Sequence, residues 1–245
     1  PLEGEEQEAE EEGAEAEAAA AADDDCLRLP EPRAAGFAVS HGGGIYVFGG
    51  VVENEAPRDP ANEAIRADDR VYSLDTAQFP LQWQEMPSMN EPREHFNAVV
   101  VEERIYAVRG RNEESPRMRG LESWAPGEEA WQQEEEAPIG GSAGIVAAID
   151  QCIYAFGGEF TPFTHTGTLR ASQVFHVPSG AWRTLDSDVQ DEPLDASDVL
   201  HLHGVFAATF EEEGQTKILV AGGGDEAWGS PISKVHIFTP PEGCE

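Results

Sequence analysis

Basic residues are scarce in this 245-residue chain, which has 15 lysines and arginines against 48 aspartates and glutamates. The formal net charge is −33 at pH 7. Binding to nucleic-acid phosphates or to anionic lipid surfaces needs clustered basic side chains. We therefore expect no nucleic-acid partner and no membrane partner. Long apolar runs are missing as well, since no segment approaches the length of a membrane span.

Cysteine is also rare, and Cys26, Cys152 and Cys244 lie far apart in the sequence. Disulfide scaffolds and zinc sites use more cysteines at closer spacing. We therefore predict neither, and expect Cys152 to be a packed thiol beside an apolar strand. No signal peptide is visible, so a cytoplasmic location is the default expectation.

Enzyme motifs are missing too. The sequence has no Gly-x-Ser-x-Gly elbow, no P-loop and no His-Glu-x-x-His. His201 and His203 would share one face of a strand, but a third metal ligand is not close in sequence. Carboxylates are too abundant for a catalytic pair to stand out. We therefore predict no enzyme, no bound metal and no cofactor.

What the chain does contain is a short apolar stretch that ends in glycine and occurs four times. The four copies are IYVFGG at 45–50, IYAVRG at 105–110, IYAFGG at 153–158 and ILVAGG at 218–223. Each copy is predicted to be the second strand of a β-hairpin. The first strands are predicted at 37–40, 96–101, 145–149 and 205–210, and third strands at 70–74, 121–124, 173–177 and 234–238.

A tryptophan opens a predicted fourth strand in three of the units, at Trp83, Trp131 and Trp182. A period near fifty residues with four strands per unit is typical of a kelch-type propeller blade. The chain resembles the kelch-repeat β-propeller family, whose pattern is a Pro-Arg start, a Tyr-x-x-Gly-Gly hairpin and a trailing tryptophan. The first copy carries every element. The other copies depart at Arg109, which replaces a glycine, at Gly141, which replaces the arginine, and at Leu219, which replaces the tyrosine.

The resemblance covers roughly residues 31–245 and is strongest to the kelch region of BTB–kelch proteins. It implies an all-β fold, a kelch-type β-propeller with three full four-stranded blades and most of a fourth. The blades are expected near 31–90, 91–138, 139–198 and 199–245. The last tryptophan would fall at or past Glu245, so we expect part of a larger ring. An N-terminal strand that completes the fourth blade is the alternative, although residues 1–30 offer no good candidate.

Residues 1–30 form an acidic low-complexity segment, with twelve acids and no base in residues 1–25. We interpret it as a disordered, solubilising stretch. An acidic arm for a basic partner is the alternative, and nothing in the sequence selects that partner.

The resemblance implies a protein-binding module. In BTB–kelch proteins the propeller captures a substrate for a cullin-RING ubiquitin ligase. No BTB or BACK segment is recognised in this sequence, so the adaptor role and a cullin partner rest on likeness alone. A cytoskeletal, actin-associated scaffold is the alternative, and a galactose-oxidase-like or sialic-acid-isomerising enzyme is less favoured.

Ligand contacts in such propellers often come from the loops before each first strand and after each glycine pair. Carried onto this chain, the candidate partner-binding residues are Arg33, Arg93, His95, Arg109, Arg111, Asn112 and His203. Rim arginines would suit a peptide bearing Glu, Asp or phosphate. Arg93→Ala would then weaken partner capture without lowering the melting temperature. The alternative is structural, with the arginine bridging blades through backbone carbonyls.

Five of the thirteen arginines lie within sixteen residues of the second unit: Arg104, Arg109, Arg111, Arg117 and Arg119. In so acidic a chain such a cluster would attract an acidic peptide or fold back on its own carboxylates, and we favour the second. The long loop at 51–69 is either a binding element or tolerated surface variation. A third loop, 160–168, mixes aromatic residues with threonine and His165.

Overall fold

The computed structural model describes residues 28–53, 65–159, 168–169, 172–185, 193–194, 202–224, 231–241 and 243–244. Within these ranges the chain is all-β, with nineteen strands and one 3-10 turn at Val177–Ser179. None of these residues belongs to a helix of the length and apolarity that crossing a bilayer requires. The all-β prediction is confirmed.

Four antiparallel sheets follow one another along the chain. In sheet A the order is β1 (Phe37–His41), β2 (Gly44–Phe48), β5 (Val71–Asp75) and β6 (Trp83–Met86). In sheet B it is β7 (Asn97–Val101), β8 (Arg104–Val108), β9 (Leu121–Trp124) and β10 (Gln132–Gln133). In sheet C it is β11 (Ile145–Ile149), β12 (Cys152–Phe156), β14 (Ser172–His176) and β15 (Ala181–Thr184). Sheet D has three strands, β17 (Phe206–Glu212), β18 (Gln215–Ala221) and β19 (Val235–Phe238).

Two short pairings lie outside these sheets, and the sequence did not predict them. They join β3 (Val51–Glu53) to β4 (Ile65–Ala67), and β13 (Thr168–Leu169) to β16 (Pro193–Leu194). The first pairing ties together the two ends of the predicted loop at 51–69. Residues 54–64 of that loop, 160–167 of the third loop, and 1–27 of the acidic segment lie outside the described residues, as does His201.

The hairpin predictions hold because the repeated apolar stretch pairs in one register throughout. Phe37 lies opposite Phe48 in sheet A, and Ile145 lies opposite Phe156 in sheet C. The isoleucine that opens each copy therefore occupies the same place in each sheet: Ile45, Ile105, Ile153 and Ile218.

The sheets pack face to face in chain order, through three clusters of buried side chains. One cluster joins Phe48 of sheet A to Trp124 and Trp131 of sheet B. The next joins sheets B and C, and the third joins C and D. Sheets B and C are thus buried on both faces, which explains why β12 is apolar along its whole length rather than alternating.

The first strands of the four sheets lie side by side around an open space of about 350 Å³. Within the described residues no strand pairing joins sheet D to sheet A, and no closed ring is seen. The molecule therefore has two interior sheets, B and C, and two end sheets, A and D.

The cysteine prediction was wrong. Cys152, at the start of β12, is joined by a disulfide to Cys244, and the two Cα atoms are 6.1 Å apart. The bond closes a sequence separation of 92 residues, which no spacing rule for small disulfide scaffolds addresses. It holds the C-terminal segment against sheet C. Cys26 lies outside the described residues.

Candidate functional site: one rim of the sheets

The segment before each first strand and the segment after each second strand meet at the same end of every sheet. We call this end the rim, formed by residues 31–36, 91–96, 139–144 and 202–205 together with 49–53, 109–120, 157–159 and 222–224. One antiparallel bridge joins the two segments in each sheet: Ala34 to Val51, Glu94 to Arg111, Ser142 to Glu159 and His203 to Gly224. All seven sequence-predicted residues lie on the rim.

Arg33 is almost fully buried and bonds within sheet A. Its Nη1 donates to the Gly49 carbonyl oxygen at 2.8 Å, and its Nη2 donates to Asp68 Oδ2 at 3.2 Å. The guanidinium also lies over the Tyr72 ring, 4.9 Å from the centroid. Asp68 is fully buried and accepts from Arg70 as well, and this hydrogen bond is the main reason that the pKa of Arg70 is raised.

Arg93 repeats this arrangement in sheet B and has no exposed surface. Its Nη1 donates to the Arg109 carbonyl at 2.8 Å and to the Gly120 carbonyl at 3.2 Å, and its Nη2 donates to buried Glu122. Burial lowers the pKa of Arg93, although Glu122 and Glu91 oppose the shift. Because the whole guanidinium is enclosed, this geometry fits the structural alternative rather than contact with a partner.

Arg109 performs the same task for sheet C from the neighbouring sheet. Its Nη2 donates to the Phe156 and Gly157 carbonyls, each at 3.1 Å. The Gly157 carbonyl corresponds to the Gly49 and Arg109 carbonyls that Arg33 and Arg93 bind in their own sheets. Sheet C has Gly141 where sheets A and B have that arginine, and a Cβ on Gly144 would lie 2.6 Å from Arg109 Nη2. The two departures from the repeat pattern are therefore reciprocal, with one sheet supplying the guanidinium that the next one lacks.

Sheet C, which lacks the arginine, also lacks the buried acid that pairs with it in sheet B. Glu122 in β9 and Gln173 in β14 occupy equivalent positions, opposite Ala107 and Ala155 respectively. Gln173 bonds the backbone N–H and carbonyl of Ile139 instead of a guanidinium. Among the described residues Arg109 has no carboxylate as a hydrogen-bond partner, and burial lowers its pKa to about 10. It remains charged at neutral pH.

Arg111 is the centre of a polar network that links three sheets. It donates to Glu94 of its own sheet and to Glu159 of sheet C, and its Nη2 lies 3.2 Å from His95 Nδ1. Across the C–D boundary, His203 Nδ1 lies 3.5 Å from Glu159 Oε1. Burial would raise the pKa of Glu94, but the hydrogen bonds with His95 and Arg111 outweigh it, so the pKa of Glu94 is lowered.

His95 is partly accessible, with 39% of its side chain exposed. Asn112 orders the loop after β8: its Nδ2 donates to the Pro92 carbonyl at 3.0 Å, and its Oδ1 accepts from the backbone of Glu114 and Ser115. Together the seven residues form two groups. Arg33, Arg93 and Arg109 lie inside the sheets, whereas Arg111, His95, His203 and Asn112 lie closer to the rim surface.

A polar cleft of about 250 Å³ opens beside Asn112 on the rim of sheet B. Glu91, Glu136 and residues of the loop 112–120 line it. Arg119 reaches into it with half of its side chain exposed, held by a 2.6 Å hydrogen bond from Nε to the Ala137 carbonyl and 3.7 Å from Glu136. Sequence reasoning noted Arg119 only as one of the arginine cluster, because a cleft made by two loops leaves no local pattern.

Most arginines of the cluster pair with acids of the same chain, which is the alternative that the sequence analysis favoured. Arg104 pairs with Glu128 at 2.7 Å, in addition to the Arg111 and Arg119 contacts. Sequence reasoning missed the acids themselves: Asp68, Glu94, Glu122 and Glu159. Two of them could have been found, since Glu122 is an acid in the middle of a predicted strand and Asp68 lies two residues before one.

Among the described residues no group of three or more His, Cys, Asp or Glu side chains is arranged to hold a metal ion. Comparison with known proteins assigns no family, since the chain matches neither a family model nor a curated protein.

Proposed function

We propose that this chain is a kelch-type β-propeller module that binds a peptide segment of a partner protein at its rim. Support for the propeller comes from four successive antiparallel sheets, packed face to face with their first strands innermost. The repeated arginine-to-carbonyl contact, at 2.8 Å in both sheet A and sheet B, supports a true structural repeat.

The observation that carries the binding proposal is the rim cleft beside Arg119. Its loop is held in place by backbone hydrogen bonds, including Met118 N–H to the Gly110 carbonyl at 2.8 Å. A preordered loop loses little conformational entropy on binding. The lining mixes Arg117 and Arg119 with Glu91, Glu114 and Glu136. A peptide segment with an acidic side chain for Arg119, flanked by a basic one, would complement it.

The finer role that we propose is substrate recognition for a cullin-RING ubiquitin ligase, in the cytoplasm, by a non-enzymatic adaptor. This rests on the likeness to BTB–kelch repeats. It predicts that cullin copurifies with this propeller only when a BTB segment is joined to it. Salt-insensitive co-sedimentation with actin filaments would instead favour the scaffold alternative.

A displayed library of random peptides, selected on the immobilised chain, tests the binding proposal. We expect enriched peptides whose affinity falls about tenfold or more in Arg119→Ala, the loss of about 1.4 kcal/mol expected for a charge-assisted contact. Arg183→Ala is the matched control, because Arg183 lies exposed on β15, away from the cleft. No enrichment, or peptides equally sensitive to both variants, would contradict a binding site at this cleft.

A further inference from the structure

Every boundary between neighbouring sheets uses the same two backbone hydrogen bonds. In the first, the second glycine of a pair donates to the next sheet: Gly50 to the Arg93 carbonyl at 2.8 Å, Gly110 to Gly141 at 2.9 Å and Gly158 to Leu202 at 3.0 Å. In the second, the next sheet donates back: His95 to the Ala35 carbonyl at 3.0 Å, Ala143 to His95 at 2.6 Å and Gly204 to Ala143 at 2.7 Å.

The two end sheets hold the unused halves of this pattern. Sheet D presents the Gly223 N–H and the Gly204 carbonyl, and sheet A presents the Arg33 carbonyl and the Ala35 N–H. None of these four groups has a hydrogen-bond partner among the described residues. By the repeat, the Gly223 N–H matches the Arg33 carbonyl, and the Ala35 N–H matches the Gly204 carbonyl. Unpaired backbone groups of this kind are costly to bury without partners.

The apolar side chains of the end faces are exposed where their interior counterparts are enclosed. Ile45 of sheet A is 37% exposed, whereas its three equivalents in the other sheets are 0% exposed. Val235 of sheet D is 60% exposed, whereas its equivalent in sheet A, Val71, is 0% exposed. Phe206 and Ile237 extend this exposed face of sheet D.

The end faces are also of opposite kinds. Each internal boundary joins the face that bears Phe48 in sheet A to the face that bears Ile105 in sheet B, or their equivalents. The outer face of sheet D is equivalent to the face that bears Phe48 in sheet A. The outer face of sheet A is equivalent to the face that bears Ile105 in sheet B. Both faces belong to one chain, so each copy of the chain carries a surface and its complement.

We propose that a second copy of this chain covers these end faces. The outer face of sheet D in one copy would dock on the outer face of sheet A in the other. Such a contact is heterologous, and it closes into a ring if the rotation allows. Two copies joined at both ends would form a ring of eight sheets, within the range of known propellers. The contact is apolar and backbone-mediated, and each copy carries a net charge of −33, so added salt should strengthen it.

Multi-angle light scattering of the full chain over a range of concentrations tests the proposal. We expect association that grows with concentration and with sodium chloride. Val235→Lys places a charge on the apolar outer face of sheet D, and Ile45→Lys places one on the outer face of sheet A. Each substitution should prevent that face from docking. Either variant alone should lose the closed assembly, because each closed contact uses both faces. Phe79→Lys is the control, since Phe79 is also apolar and exposed, at 83%, but lies in the turn before β6.

Mixing the two variants distinguishes this contact from non-specific aggregation. The intact sheet D face of Ile45→Lys can meet the intact sheet A face of Val235→Lys, so the mixture should form a one-to-one heterodimer that neither variant forms alone. Circular dichroism should show both variants folded, because both side chains are already solvent-exposed. A monomer at all concentrations, or a mixture that behaves as its separate components, would overturn the proposal.

Discussion

The interior sheets and the end sheets are built from the same repeat, but they meet different surroundings. Sheet B has both faces packed, and its repeat isoleucine, Ile105, is completely buried. Sheet A has one face packed, and the equivalent Ile45 reaches solvent. One sequence pattern therefore specifies the local hairpin in both places, while burial depends on the neighbour. We therefore expect the stability of each sheet to depend largely on its contacts with adjacent sheets.

The interior sheet B and the end sheet A also differ in the number of cations beside their buried acids. In sheet B, Glu122 is buried with Arg93 as its hydrogen-bonded cation. In sheet A, Asp68 is buried among Arg33, Arg66 and Arg70. An acid with several cations can lose one and stay compensated, whereas an acid with one cannot.

The largest effect is expected from Arg93→Ala, which leaves the charge of Glu122 buried without its guanidinium. We expect the free energy of unfolding to fall by about 3–5 kcal/mol, the usual result of breaking a buried ion pair from one side. Arg33→Ala should cost about 1–3 kcal/mol, because Arg66 and Arg70 remain beside Asp68. Urea denaturation of both variants measures the difference. Equal losses would show that the two sites are not distinguished by their counter-ions.

Truncation of the equivalent isoleucines compares the packing of the two kinds of sheet directly. Ile105→Ala creates a cavity between sheets A and B and should cost about 2–5 kcal/mol. Ile45→Ala removes a side chain that is partly in water and should cost well under half as much. Both losses are read from denaturant midpoints in dilute protein. A similar cost at both positions would mean that Ile45 is covered in solution.

Much of this fold follows from the sequence, and the limits have physical reasons. The hairpins were predictable because alternation and turn residues act within a dozen residues, and Ile45 to Phe48 pairs as expected. The hydrogen bonds of Arg109 were not predictable, because its partners, the Phe156 and Gly157 carbonyls, lie in another sheet. In the sequence, Arg109 and Gly141 are two separate departures from the repeat pattern. The structure shows that they are related, because Arg109 supplies the guanidinium that is missing at Gly141.

The same limit explains the missed disulfide. Cys152 and Cys244 become neighbours through the packing of sheet D on sheet C, which no local pattern encodes. Candidate binding residues were chosen by repeat position alone, and repeat position does not separate enclosed arginines such as Arg93 from accessible side chains such as His95.

Removal of the disulfide tests how firmly end sheet D is tied to interior sheet C. Cys244→Ser should lower the free energy of unfolding by about 2–4 kcal/mol, since a cross-link over a long loop restricts the unfolded chain. Cys26→Ser is the control for replacing a cysteine outside this disulfide. Reducing agent should produce the same shift in the parent chain and none in the variant. A variant as stable as its parent would show that the bond does not constrain the unfolded chain.

The reciprocal exchange at the boundary of sheets B and C can be tested by a double-mutant cycle. Arg109→Gly removes the guanidinium hydrogen bonds to the Phe156 and Gly157 carbonyls, and Gly141→Arg brings a side chain against Arg109 and Leu169. Each single change should destabilise, by about 1–3 kcal/mol. The double variant should be more stable than their sum predicts, by about 0.5–3 kcal/mol. Strict additivity would show that Arg109 does not stand in for the missing arginine.

The smallest effect is expected at the Arg111 network, where acidic pH should weaken the pairing of Glu94 with Arg111, the side chain that links sheet B to sheet C through Glu159. The pKa of Glu94 is lowered in the folded protein, so its stabilising contribution is complete above the unfolded value of about 4.3 and is lost as pH falls through the folded value. The parent chain should therefore lose more melting temperature between pH 6 and pH 3 than Glu94→Gln does. Glu85→Gln, on the exposed outer strand of sheet A, should behave like the parent. If Glu94→Gln and Glu85→Gln gave the same pH profile, the network would be a surface feature without a share in holding the sheets together.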